Sequence, residues 1–283
     1  MSEIIFSADS TIDLSPDLKE KYGVRIIPLC VTVGGTEYLD GITLQSDDIY
    51  GLVEKTGVLP RTAAVNETNF LEHFHAIRKG DTSKTIIHFS ISSELSCSFQ
   101  NAVNASKETE NVLVVDARSL STGTALLCLN AIDMAQKGAS VSEIFDYCIS
   151  STSKVQASFI VDDLLYLHKG GRCKGLTMYM ANLLKIHPML TLSDGFLKPD
   201  TKFRGSMKIA LNKYINYLKE NHPNVDTKRA FVTHTLMDQA LVDQAISLAK
   251  ELFGFETILE TKAGATITSH CGKGTLGLLF MDK

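Results

Sequence analysis

Short apolar runs alternate with amphipathic stretches along the first half of the chain. The run from Ile4 to Ala8 is short and largely apolar and predicts a strand. Ser15-Pro16 supplies an N-cap and a first-turn proline, and Gly23 closes the helix they open. Arg25 to Val33 reads as a second strand, ended by Gly34-Gly35. The spacing predicts helices from Ser46 to Gly57, Asn66 to Gly80, Ser96 to Lys107 and Ser121 to Lys137, with strands over Thr85 to Ile91 and Val112 to Ala117. Alternation of this kind argues for a mainly parallel sheet covered on both faces.

The pattern changes in the second half. A helix from Val141 to Ser151 precedes a strand from Ala157 to Val161, Gly170-Gly171 makes a break, and Thr177 to Ile186 has helical periodicity. Met189 to Phe203 reads as a hairpin turning at Ser193-Asp194-Gly195. Ser206 to Glu220 and Met237 to Phe253 are amphipathic helices, and Ala230 to His234, Thr257 to Lys262 and Leu276 to Met281 are strands. Hairpins mixed with long helices suggest an α+β module. The expected class is α/β with two domains, residues 1–155 and 156–283.

Composition narrows the range of functions. A chain of 283 residues with 44% hydrophobic and 21% charged residues has ordinary globular composition. The formal charge of -4 leaves no basic field to neutralise a phosphate backbone, which argues against nucleic acid as a partner. The N-terminus MSEIIFSADS lacks the basic and apolar regions of a secretory signal. The most apolar stretch, Thr124 to Ala135, is interrupted by Asn130 and Asp133 and falls short of the ~18 apolar residues of a membrane span. A cytoplasmic protein without a transmembrane segment is expected. Cys30, Cys97, Cys128, Cys148, Cys173 and Cys271 form no C-x-x-C pair and sit mostly in apolar segments, as free thiols would.

Four stretches carry candidate chemistry. Ser90 to Ser96 follows a strand and opens a helix, so hydroxyls and unpaired N–H groups converge where an anion would sit. The plainer reading is a serine N-cap with polar neighbours. Pro60-Arg61-Thr62 stiffens a loop and offers one hydroxyl, although a loop threonine is ordinarily only a turn residue. Ala263 to Gly274 is rich in small residues around His270, which either meets a ligand or lies on a surface connection. Leu164 to Arg172 ends in Gly170-Gly171-Arg172, a turned or mobile loop presenting a guanidinium suited to a carboxylate or phosphate. His73 and His75 face different sides of a helix and make a poor metal pair, and His88 reads as an interior histidine. No metal site stands out, and neither G-x-G-x-x-G nor a Walker A loop occurs.

The order of these stretches resembles the DegV family, which includes the fatty-acid-binding B subunits of bacterial fatty acid kinase. The matching stretches are Ser7-Ala8-Asp9-Ser10 with Asp13-Leu14, Tyr38-Leu39-Asp40-Gly41, Pro60-Arg61-Thr62, Ile91 to Ser96, Leu164 to Arg172 and Ser269-His270-Cys271-Gly272, so the resemblance spans essentially the whole chain. It implies an N-terminal Rossmann-like domain and a C-terminal α+β domain, with an acyl chain in an apolar tunnel between them. By resemblance Thr62, Ser93 and His270 hydrogen-bond the fatty acid carboxylate, with Ser92 and Cys271 in support, while Arg172 and Arg204 meet a kinase partner. The chain departs from the family at Ala63, at Cys97-Ser98 and at Cys271-Gly272-Lys273-Gly274, where Thr-Ser, Gly-Thr and Thr-Gly-Pro-Gly are common.

The implied function is a non-catalytic carrier that binds a long-chain fatty acid and presents its carboxylate to a separate ATP-dependent kinase for acyl phosphate formation. It needs no cofactor beyond the bound fatty acid. Burying each methylene stabilises by ~0.8 kcal/mol, so a sixteen-carbon chain gains on the order of 10 kcal/mol before association costs. A buried carboxylate without partners would cancel much of that. Two alternatives stand beside it. A Ser-His acyl hydrolase would use Ser93 and His270, although no nucleophile elbow is present. A nucleotide-binding module would use the first domain, which lacks the glycine fingerprint.

Overall fold

The computed structural model describes residues 3–173 and 186–283. The chain begins with β1 (Ile4–Asp9) and α1 (Pro16–Tyr22), whose N-cap Ser15 accepts the Leu18 N–H at 3.3 Å. The single strand expected from Arg25 to Val33 is two. β2 (Arg25–Ile27) pairs parallel with β1, and β3 (Cys30–Val33) joins a different sheet. Pro28 between them has no N–H to donate to a ladder, so the pairing ends there. Gly34-Gly35 ends β3 and also turns the chain: with φ of 58° and 85° it links β3 to β4 (Thr36–Leu39), the positive values a tight hairpin requires.

α2 (Asp48–Thr56) is followed by β5 (Arg61–Ala63), so Thr62 lies on a strand and not in a loop. Next come α3 (Glu67–Arg78), β6 (Thr85–Ser90), α4 (Ser98–Lys107), β7 (Val112–Asp116), α5 (Thr122–Gln136) and α6 (Val141–Ser151). β2-β1-β6-β7 form a parallel sheet, and β4-β3-β5 form a small antiparallel one at its margin.

The second half contains β8 (Val155–Ile160), α7 (Leu165–Gly170), β9 (Ile186–Ser193), β10 (Phe196–Arg204), α8 (Met207–Asn221), β11 (Val225–His234), α9 (Gln239–Phe253), β12 (Ile258–Lys262), α10 (Ala265–Cys271) and β13 (Leu276–Asp282). Their strands make a mixed sheet in the order β10-β9-β8-β13-β11-β12, in which only β11 and β12 run parallel. The helix expected over Thr177 to Ile186 lies outside the described residues, apart from Ile186, which opens β9.

The layers follow from which faces are apolar. Phe70 and Phe74 of α3 and Ala102 and Ala105 of α4 cover one face of the parallel sheet. α5 fills the space between the two sheets, against Phe89 and Val115 on one side and Ala157, Phe231 and Leu279 on the other. It is buried almost all round, which explains why its sequence is apolar on every face. α8 and α9 cover the far face of the mixed sheet. The fold is therefore α/β, with a parallel-sheet unit and an α+β unit sharing α5 as their common wall.

Candidate functional site

Where the two units meet, a cavity of about 130 Å³ opens between β5, the loop after β6, and α10. Leu29, Ile91, Leu120 and Ile267 give it apolar walls. A smaller space of about 20 Å³ shares Leu120, Ile267 and Cys271 with it and reaches inward to Phe159 and Leu279 of the second sheet. An apolar slot of this kind suits a slender hydrocarbon group.

Two polar side chains from opposite parts of the chain meet at its wall. Thr62 pairs with Val31 in the small sheet, and its Oγ1 lies 2.8 Å from His270 Nε2, although 208 residues separate them in sequence. Burial, and to a lesser extent the nearby Arg172 charge, lower the His270 pKa to about 4, so the imidazole is neutral at neutral pH. Its other nitrogen, Nδ1, has no hydrogen-bond partner among the described residues. Gly170 sits against that nitrogen. A Cβ there would come within 2.3 Å of Nδ1, so the first of the paired glycines is there to let the ring in. Gly171, with φ 68°, is the C-cap of α7.

His270 does not lie in an irregular glycine-rich connection. It belongs to α10, whose N-terminus is held by carboxylates of the other unit. Asp40 accepts from Ala265 N at 2.7 Å, Thr266 N at 3.2 Å and Ser10 Oγ at 2.8 Å. Asp13 accepts from Gly264 N at 2.8 Å and from Ser121 Oγ at 2.5 Å. These anions satisfy donors that a helix start leaves unpaired. Asp13 and Ser121 have φ of 54° and 52°, a strained conformation their mutual hydrogen bond helps to hold. Burial pushes the Asp13 carboxyl well above the usual range, against the hydrogen bonds from Ser121 and Gly264. Asp9 is likewise buried, with a raised pKa, and accepts from Ser90 Oγ at 3.0 Å and Ile91 N at 2.9 Å. In the sequence Asp13 stands out only within a family-like stretch, and Asp40-Gly41 reads either as a turn or as lining a crevice. Their available signal was position: each follows an apolar stretch in a segment rich in turn residues.

Ser93, expected beside Thr62 and His270, does not line the cavity. It is exposed, and its Oγ donates to Asp116 Oδ2 at 2.6 Å and accepts from Arg118 Nη1 at 3.2 Å. The chain folds into a tight turn after β6, with Leu95 N and Ser96 N donating to Ser92 O at 2.9 and 3.2 Å. That turn sends Ser93 outward and brings Ser96 to the cavity wall. Ser92 is buried and donates to Gly195 O at 2.8 Å, which ties this turn to the β9–β10 hairpin. Ser93 and His270 share no hydrogen bond among the described residues.

Cys271 lines the cavity, with its thiol pushed up to about 12 by burial, so it is un-ionised. Arg172 also lines it, and its Nη1 donates to Gly170 O at 2.7 Å. Arg204 is exposed at the end of β10, away from this wall. His73 and His88 flank Ser7, at 2.8 and 3.0 Å from its hydroxyl, beside Phe70 and Phe74. Burial lowers the pKa of both, to about 4 for His73. Among the described residues no group of three or more His, Cys, Asp or Glu is arranged to hold a metal, and no helix is long and apolar enough to cross a membrane.

Comparisons with known proteins bear on this site. Residues 4–283 match the family described as "Uncharacterised protein, DegV family". The chain is 29% identical, over all of both chains, to a DegV domain-containing protein of Caldanaerobacter subterraneus. It resembles a solved DegV lipid binding protein from Thermotoga maritima, with TM-score 0.88, 28% identity, and 99% and 100% of the two chains covered. A solved fatty-acid-binding DegV family protein from Thermus thermophilus gives TM-score 0.85 at 28% identity, again with 99% and 100% covered.

Proposed function

The chain belongs to the DegV family, and we propose that it binds a long-chain fatty acid in the cavity between its two units and presents the carboxylate to a separate kinase. One observation carries the reading: Thr62 and His270 meet at 2.8 Å on the wall of an otherwise apolar slot. A hydroxyl and a neutral imidazole donate hydrogen bonds to a carboxylate, and the apolar wall takes the methylenes. Ser96, on the same wall, is a third donor in the position first assigned to Ser93. The lipid-binding relatives from Thermotoga and Thermus support the ligand class.

The protein acts as a cytoplasmic, non-catalytic carrier: the acid is phosphorylated by an ATP-dependent partner and the acyl phosphate stays shielded. Residues 1–155 contribute Thr62 and Ser96, and 156–283 contribute His270 and close the tunnel. Arg172 at the cavity wall and Arg204 at the exposed end of β10 make separate contacts with the kinase. Native mass spectrometry of the purified protein, followed by calorimetry with hexadecanoate after lipid extraction, tests the binding. Absence of bound lipid together with no affinity at micromolar concentration rejects it. In a reconstituted reaction with a fatty acid kinase, Arg204→Ala lowers turnover of the loaded protein several-fold; unchanged turnover removes Arg204 from the contacts with the kinase.

A further inference from the structure

α10 places a second side chain in the cavity. Thr266 is the second residue of this helix, four positions before His270, so the two side chains leave it on one face. Both line the cavity. Thr266 is 4% exposed, and among the described residues its hydroxyl has no hydrogen-bond partner.

Local structure does not satisfy that hydroxyl. A helical threonine usually donates to the carbonyl one turn back. Four residues before Thr266 the chain is still in β12, at Lys262, and the carbonyl of Ala263 accepts from Thr268 Oγ1 at 3.4 Å and not from Thr266. The Thr266 N–H is committed to Asp40. A buried hydroxyl left unpaired is unfavourable, and covering it with plain methylenes would keep it so. A ligand that carries an oxygen at that point removes the penalty.

Resting on the fatty-acid reading of the cavity, we propose that Thr266 hydrogen-bonds an oxygen substituent on the acyl chain a few carbons from the carboxylate, so that the site prefers a 3-hydroxy fatty acid over an unsubstituted one of equal length. The spacing fits. With the carboxylate at Thr62 and His270, Thr266 lies one helical turn away, about 5.4 Å, which a few carbon–carbon bonds and a hydrogen bond span. A secondary hydroxyl both donates and accepts, so it pairs with the threonine in either sense.

The test titrates the delipidated full chain and its Thr266→Val variant with hexadecanoate, 3-hydroxyhexadecanoate and 16-hydroxyhexadecanoate. Valine keeps the branched shape and leaves the backbone bond to Asp40 in place. The wild type is expected to bind the 3-hydroxy acid about tenfold more tightly than hexadecanoate, with no gain for the 16-hydroxy acid. In Thr266→Val the ratio falls to about one, because hexadecanoate tightens and the 3-hydroxy acid weakens. The empty variant melts at or above the wild-type temperature, which shows that it folds. Equal wild-type affinity for hexadecanoate and its 3-hydroxy form overturns the inference while leaving the fatty-acid reading standing. So does a variant that weakens both acids equally, since Thr266 would then serve the carboxylate. Failure of every acid to bind the folded wild type overturns the fatty-acid reading itself.

Discussion

Two polar clusters meet α10, one at its N-terminus and one along its cavity face, and they differ in how completely they are paired. At its N-terminus Asp13 and Asp40 accept five hydrogen bonds between them, from Ser10, Ser121 and three backbone N–H groups. Along the cavity wall, Thr266 Oγ1 has no partner among the described residues, Thr62 pairs only with the imidazole there, and the other imidazole nitrogen is unpaired and packed against Gly170. A saturated cluster is bonded to the protein itself and serves as architecture. A cluster with spare capacity, in an apolar slot, is where an outside group gains most by arriving.

Variants on each side sharpen that contrast. Asp40→Ala strips a buried helix start of its acceptor and is expected to destabilise the protein by on the order of 3 kcal/mol, lowering the melting temperature by roughly 6–10 °C. Thermal denaturation measures it, and a shift under ~2 °C would mean that the cluster is not structural. Thr62→Val leaves the buried imidazole without its Nε2 partner and should cost about 1 kcal/mol of stability, a fall of roughly 2–4 °C in melting temperature, while weakening hexadecanoate by about 2 kcal/mol, roughly thirtyfold in Kd. Equal losses of stability and affinity would erase the distinction.

Acid adds a third comparison. Between the ordinary histidine pKa of 6.5 and about 4, the unfolded chain takes up protons that folded His73 and His270 refuse, so stability falls as pH falls through that window. The raised carboxyls of Asp9 and Asp13 work in the opposite sense, holding protons that the unfolded carboxylates release above 3.8. His270→Gln removes one of the refusing groups. The proton uptake on unfolding at about pH 5 should drop by roughly one, as read from denaturant midpoints across pH; no change would place His270 in water. The smallest effect belongs to Ser93→Ala. An exposed serine outside the cavity should cost under ~0.5 kcal/mol in either stability or fatty-acid affinity, and a large loss of affinity in calorimetry would return Ser93 to the site.

Much of the fold is legible in the pattern of apolar positions, because long periodic helices and short apolar strands are specified locally. Asn66, Ser140 and Ser15 mark helix starts by their own side-chain bonds. The site is less legible. β5 is three residues long, and its pairing is decided by β3 and not by its own sequence. α10 reads Ala-Thr-Ile-Thr-Ser-His-Cys, a run with β-branched residues and little intrinsic preference for helix, and depends on Asp13 and Asp40, more than two hundred residues away. Ser93 and Ser96 sit in one polar motif, and only the turn at Ser92 decides which faces inward. The membership of Thr62 and His270 in one cluster is visible through family resemblance, since nothing local links them.

The dependence of α10 on partners made much earlier has a temporal consequence. During synthesis, the first sheet is complete once Asp116 has emerged, while the imidazole is still on the order of ten seconds from being translated at ordinary rates. A growing chain therefore has no enclosed binding slot to offer, and any lipid it meets contacts only exposed strands. If the proposed function holds, loading waits for the finished molecule.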